Sequence, residues 1–207
     1  MQIKNNVQGS DEWLEDRKGK MTASNAQAIG ANGKGLETYI YTMLAEKYSS
    51  GEEEKYTNED MERGNELEAM ARKLYELEKD VEIKEVGFVE LDEFSGASPD
   101  GLIGAEGLVE IKSPNDKNHF YNISTGKVDT KYQWQMQMQM LVCERKWCDF
   151  VSFNPNFEKE LLVIRVMRDE KKIEKLKEGM ETGKQLIKVL SKKYEGISKG
   201  DVVQSEG

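Results

Sequence analysis

The chain has 207 residues, 37% hydrophobic and 33% charged, enough apolar content for the core of one large domain. Its formal charge is −9, it holds one histidine and two cysteines, and no apolar run approaches the length of a membrane span. These counts exclude a spanning helix, a disulfide framework, a Cys/His zinc site and an iron–sulfur cluster, for want of ligands.

The N-terminal MQIKNNVQGSDEW lacks the apolar region of a secretory signal, so cytoplasmic residence is expected. Ser10 precedes a short helical run, DEWLEDRK, ended by Gly19. In TASNAQAIG, Ser24 followed by Gln27 fits a capping box that opens a second helix. LETYIYTMLAEKYSSG reads as a third helix closed by Gly51. Residues 52–68 hold eight acids against Lys55 and Arg63, so the net charge is unevenly spread and basic residues elsewhere are free to line one face. In RGNELEAMARKLYELEKD, Leu67, Met70, Ala71 and Leu74 recur at helical spacing, with Glu68 at the edge of the stripe.

From Val81 to Pro114 the pattern changes. EVGFVEL, SGASPDGLIG and GLVEIKS are short, rich in Val, Ile and Phe, and broken by Gly, Asp and Pro, which predicts a three-stranded antiparallel meander. NDKNHFYNISTGKVD reads as a loop or irregular segment, with His119 in it. TKYQWQMQMQMLVCERK alternates like a strand, but Gln, Met and Leu favour helix and, after the opening Thr130, only Val142 in the run is β-branched, so a helix is expected. WCDFVSFNPN and ELLVIRVMRDE are two further strands, and a long basic helix follows. The expected architecture is α/β (α+β), a central mixed sheet flanked by helices in a single domain over 1–207. Its parts are N-terminal helices over 10–50, a core over about 58–168, a C-terminal helix over 169–195 and a flexible tail over 196–207.

The chemistry concentrates in SPDGLIGAEGLVEIKSP, residues 98–114. Residues two apart on a strand share a face, so Glu110 and Lys112 point one way and Ile111 points into the core. A hairpin brings Asp100 across from Glu110. Two adjacent carboxylates repel unless a cation joins them, and with so few Cys and His the cation is an oxygen-loving one such as magnesium or manganese. The Ile111 carbonyl offers a further oxygen, Lys112 stands ready to orient water or stabilise negative charge, and Glu68 reaches in from its helix. An ordinary exposed hairpin with an Asp-Gly turn and alternating charges is the other reading of the same spacing.

SPDG followed by VEIKSP resembles the PD-(D/E)XK nuclease pattern, and the flanking motifs are similar to its lambda-type phage exonuclease or viral recombinase branch. The similar segments are TAS at Thr22–Ser24, GNELE at Gly64–Glu68, SPDG at Ser98–Gly101, EIKSP at Glu110–Pro114, YQWQMQ at Tyr132–Gln137 and FVSFNP at Phe150–Pro155. They run in order through roughly residues 8–168. The resemblance implies a restriction-endonuclease-like fold with divalent metal on Asp100, Glu110, the Ile111 carbonyl and Glu68, and with Lys112 assisting the attacking water. It implies a 5′-phosphate pocket of Arg17, Ser24, Ser98 and Gln137, with Gln135 as a further candidate. On a helix Gln135 and Gln137 diverge by about 200°, so at most one of them faces the metal. Family members degrade one strand of linear duplex DNA from its 5′ end, and well-studied members form trimeric rings that hand the 3′ strand to an annealing protein. That implies magnesium (with manganese as a substitute), linear double-stranded DNA, a homotrimer, a single-strand annealing partner and a phage or prophage origin.

Three functional readings follow: a 5′→3′ double-strand exonuclease, an endonuclease or single-strand nuclease built on the same site, and a non-catalytic DNA-binding recombination module. The TAS, Arg17 and Gln137 residues favour the first over the second, and the intact Asp100, Glu110 and Lys112 speak against the third. Residue by residue, plainer roles stand beside these: Ser24 as a helix cap, Arg17 as a solvated charge, Glu68 as a core-flanking acid with Glu66 as its competitor, and Trp134 with Met136, Met138 and Met140 as core or subunit contact.

Overall fold

The computed structural model describes residues 2–50 and 59–198. The acidic run over 52–58, Gly51 and the tail over 199–207 lie outside the described residues.

Strand β1 (Gln2–Lys4) leads to α1 (Asp11–Arg17), whose first turn is capped by Ser10: its hydroxyl accepts the Trp13 N–H at 3.2 Å. The two-residue β2 (Met21–Thr22) runs into a 3₁₀ turn over Ala23–Asn25, then α2 (Ala26–Ala31) and α3 (Lys34–Tyr48). Ser24 does not form the expected capping box. It lies inside the tight turn, 3.1 Å from Thr22 Oγ1, and Asn25 is the N-cap of α2 without a side-chain bond. Helix α3 stops at Tyr48, with Ser49 as its C-cap.

After α4 (Glu59–Lys79) come β3 (Ile83–Lys84), β4 (Phe88–Asp92), β5 (Ser95–Ala97), β6 (Gly101–Ile103) and β7 (Gly107–Lys112). They do not form one meander. β4 and β5 make a hairpin in a four-stranded sheet ordered β1-β4-β5-β2, whereas β6 and β7 belong to a second sheet. The chain changes sheets at Ser98–Pro99–Asp100. Pro99 has no N–H to extend a ladder, and its carbonyl is taken by Gln8 Nε2 at 2.9 Å.

The second sheet is completed by β8 (Trp147–Phe153) and β9 (Leu161–Met167) in the order β3-β6-β7-β8-β9. β7 and β8 run parallel and the other pairs antiparallel, a mixed sheet. The parallel step needs a crossover, supplied by α5 (Asp116–Thr125) and α6 (Thr130–Val142). The segment expected as a loop is therefore α5. Asn115 caps it by accepting the Asn118 N–H at 3.1 Å, and Gly126 ends it at φ +62°. Its polar sequence hides the helix because only one side of it is covered.

Helix α6 is buried almost all round, which reconciles its alternating sequence with a helix. Met136, Met138 and Met140 lie in the core, and so do Gln137 and Gln139. Helix α7 (Glu170–Glu195) packs along α2 and α3. At its closest approach to α2 stands Gly179, where a Cβ would overlap the Ile29 carbonyl. The large sheet thus has two apolar faces. Leu108, Cys148 and Phe150 join the core with α2, α6 and α7, and Val109, Ile111 and Val151 meet Ala71 and Tyr75 of α4. No helix among the described residues is long and apolar enough to cross a membrane.

Candidate active site

The register Gly101↔Val109 places Asp100, just before β6, beside Glu110 and Ile111 of β7. Asp100 Oδ2 accepts the Ile111 N–H at 2.6 Å, which fixes its carboxylate at the mouth of the hairpin. Ile111 points to the α4 core. Glu110 points the opposite way and is 0% exposed, while Asp100 is 8% exposed. Lys112 Nζ lies 2.6 Å from Glu110 Oε1. Burial, and next the charge of Glu110, push the Asp100 carboxyl well above its ordinary value. Burial alone would lower the Lys112 pKa; Glu110 and Asp100 together outweigh it and raise it.

Glu68 approaches from α4 and is bonded at 2.7 Å to Arg72, one turn on. Arg72 also pairs with Glu85 at 2.8 Å and reaches the Asp100 carbonyl at 3.4 Å, so it ties the α4 acid to the strand acid. Burial raises the Glu68 pKa, with Arg72 and Lys112 opposing the rise. Neither Arg72 nor its role was read from the sequence, though its position four after Glu68 on one helix face is a signal for it. Helix α4 is held on the sheet by Tyr75, whose hydroxyl donates to buried Asp149 at 2.6 Å. Asp149 also takes two bonds from Arg165, at 2.7 and 2.9 Å.

Next to the carboxylates is a second group. Arg17 Nη1 is 3.3 Å from Ser98 Oγ, and its guanidinium stacks on Trp13 at 4.0 Å. Trp13 Nε1 donates to the same Ser98 hydroxyl at 2.9 Å, a contact the sequence reading missed. No carboxylate among the described residues pairs with Arg17, and burial lowers its pKa, the signature of a desolvated cation without a counter-charge. Ser24 faces Thr22 rather than Arg17 in the contacts it makes.

The glutamines of α6 divide differently from the expectation. Gln135 Nε2 donates to Glu110 Oε1 and Gln139 Nε2 to Glu110 Oε2, each at 2.6 Å. Gln137 does not reach this site. It is 1% exposed, donates to the Met167 carbonyl at 2.8 Å and accepts the Asp169 N–H at 2.8 Å. The helical repeat explains the split: residues four apart share a face and those two apart do not. Gln139 was missed, and its i,i+4 relation to Gln135 is the signal that finds it. His119 is no loop residue. It is fully buried in α5, with Nδ1 2.9 Å from Ser152 Oγ and Nε2 2.9 Å from the Lys159 carbonyl.

The donor set fits a hard divalent cation. Two buried, mutually repelling carboxylates supply oxygen ligands, and a cation between them would relieve the repulsion that raises the Asp100 pKa. Among the described residues no three His, Cys, Asp or Glu side chains form a group that could hold an ion, so main-chain oxygen or water would complete the sphere. Cys143 and Cys148 are buried free thiols, with burial pushing Cys143 up to about 12.

Comparison with known proteins shows the fold and the family. Residues 12–146 match the YqaJ-like viral recombinase domain. An alkaline exonuclease from Laribacter hongkongensis is 32% identical, with a TM-score of 0.81 over 91% of this chain and 100% of its own. The same enzyme in complex with dAMP gives a TM-score of 0.80. A phage-related exonuclease from Haemophilus somnus 129PT, 19% identical with a TM-score of 0.61 over 84% of this chain and 96% of its own, shares the fold. Among curated proteins, none matches. With a PD-(D/E)XK core and this extent of match, the chain belongs to the YqaJ-like viral recombinase family.

Proposed function

We propose that the protein is a divalent-metal-dependent 5′→3′ exonuclease that degrades one strand of linear double-stranded DNA and leaves 3′ overhangs for recombination. One observation carries the reading: Ser98, bonded to the uncompensated Arg17, stands two residues before Asp100. A group able to hold a terminal phosphate is thereby coupled through one turn of backbone to a group able to cut the next phosphodiester. The relative from Laribacter was solved in complex with dAMP, which supports nucleotide binding by this chain.

Asp100, Glu110 and the Ile111 carbonyl would hold magnesium, or manganese in its place, with Glu68 completing the site from α4. The ion supplies positive charge that acidifies water and offsets charge building on the phosphate. Gln135 and Gln139 orient Glu110, and Lys112 directs its ammonium to the reacting phosphate. Arg17 and Ser98 take the 5′-phosphate, and family resemblance adds Ser24 to that pocket. Family resemblance supports a trimeric ring and a single-strand annealing partner.

The test offers the protein magnesium and three DNAs: a 5′-phosphorylated linear duplex, the same duplex without the phosphate, and a closed circle. Mononucleotides from the first, slower loss of the second and an untouched circle are expected. Nicking of the circle would replace this reading with an endonuclease, and binding without product would replace it with a non-catalytic module.

A further inference from the structure

A cleft of about 840 Å³ opens beside Lys112 on the α6 side of the large sheet. Its floor is apolar, formed by Phe150, Ile164 and Val166, and its walls are α5, α6 and the loop between them. Lys117, Lys127 and Lys131 line the walls, all exposed and none ion-paired among the described residues. Among the described residues Asp129 is the one acid lining it, and its carboxylate caps α6 through the Lys131 N–H. Such a cationic excess stands out in a chain of net charge −9. Two aromatic rings complete the lining: Tyr121, 49% exposed, and Tyr132, with the Lys131 ammonium 4.7 Å and the Lys112 ammonium 5.7 Å from its centre.

The order of the strands gives the cleft a direction. Ser98, which bonds Arg17 of α1, and Asp100 lie just before β6, Glu110 and Lys112 are on β7, and the floor is β8 and β9. From β6 to β9 is about 14 Å at ~4.8 Å per strand. We propose that this cleft binds the melted stretch of the strand being cut, on the 3′ side of the scissile phosphate, with phosphates on Lys117, Lys127 and Lys131 and bases against Tyr121 and Tyr132. Lysines neutralise the backbone without regard to sequence, and tyrosine faces accept any base, as a nuclease acting on any sequence requires. The inference rests on the exonuclease reading for the direction of the strand. It also accounts for how a duplex end is kept open: the separated nucleotides exchange base stacking for ring stacking.

The experiment measures binding of dTMP and of 5′-phosphorylated oligothymidylates two, four and eight nucleotides long, with calcium replacing magnesium. Wild type is compared with the Lys117→Ala/Lys127→Ala/Lys131→Ala protein. The expected result is unchanged dTMP affinity and a loss that grows with length to about tenfold for the octamer. The slope of log affinity against log salt should fall by about 2, at ~0.7 per phosphate. Tyr121→Ala should weaken the octamer and not dTMP. Equal losses at every length, or no loss, overturn the proposal. So does a change in molecular mass by light scattering, which would make the cleft a subunit interface. Digestion of linear duplex by wild type, measured in parallel, tests the nuclease reading by itself, since binding in calcium needs no cleavage.

Discussion

Asp100 Oδ2 and the Ile111 N–H are hydrogen-bonded at 2.6 Å, so the carboxylate that opens β6 is pinned to the strand carrying Glu110. The bond holds two acids together that would otherwise separate, and burial, with the Glu110 charge next, raises the Asp100 pKa.

That cost has a pH signature. A folded-state pKa above 3.8 means that the native protein binds the Asp100 proton more tightly than the unfolded chain. The resulting stability is complete below pH 3.8 and is lost as pH rises through the folded value. Asp100→Asn keeps an acceptor for the Ile111 N–H and cannot titrate. In EDTA its melting temperature should climb relative to wild type as pH rises above 3.8. Magnesium should reverse the order by stabilising wild type alone. Parallel pH curves would remove the assigned strain.

Lys112→Ala should leave the circular dichroism spectrum intact, because Gln135 and Gln139 still satisfy Glu110. Single-turnover cleavage of linear duplex should fall by about a thousandfold, the scale of losing one donor that stabilises transition-state charge. An active Lys112→Ala protein would end the role given to this lysine.

Arg17→Ala should erase the preference for phosphorylated ends, bringing the rates on 5′-phosphate and 5′-hydroxyl duplexes within about twofold of each other, since a bidentate clamp on phosphate is lost. Arg17→Lys should retain part of the preference, as a point charge without the fork. The rate ratio, read on matched duplexes, decides it. A ratio unchanged in Arg17→Ala would move the phosphate site elsewhere.

Gln137→Leu and Gln139→Leu separate scaffold from site. Gln137→Leu leaves the Met167 carbonyl and Asp169 N–H without partners, at a cost of about 2–4 kcal/mol in urea unfolding. Activity per folded molecule should persist. Gln139→Leu strips one donor from Glu110 and should raise the magnesium concentration needed for half-maximal cleavage severalfold. A selective loss of 5′-phosphate preference in Gln137→Leu would restore the phosphate role that its buried position argues against.

The sequence by itself determined the helices of apolar periodicity, the strands around SPDG and EIK, and the co-facial placement of Glu110 and Lys112. Those follow from local spacing, which the backbone repeat converts directly into a face. It also carried the family, because ordered motifs survive where overall identity is low. Tertiary structure alone decided that the expected meander is two hairpins in two sheets. Turn residues mark where a strand stops and do not say which ladder the next one joins. It decided that α5 is a helix, since a half-covered polar segment has too weak a pattern to stand out. It also decided which glutamine meets Glu110. Alternating Gln and Met leaves every face of α6 chemically alike, and only the packing of that helix between sheet and α7 turns Gln135 and Gln139 to the acid and Gln137 away from it.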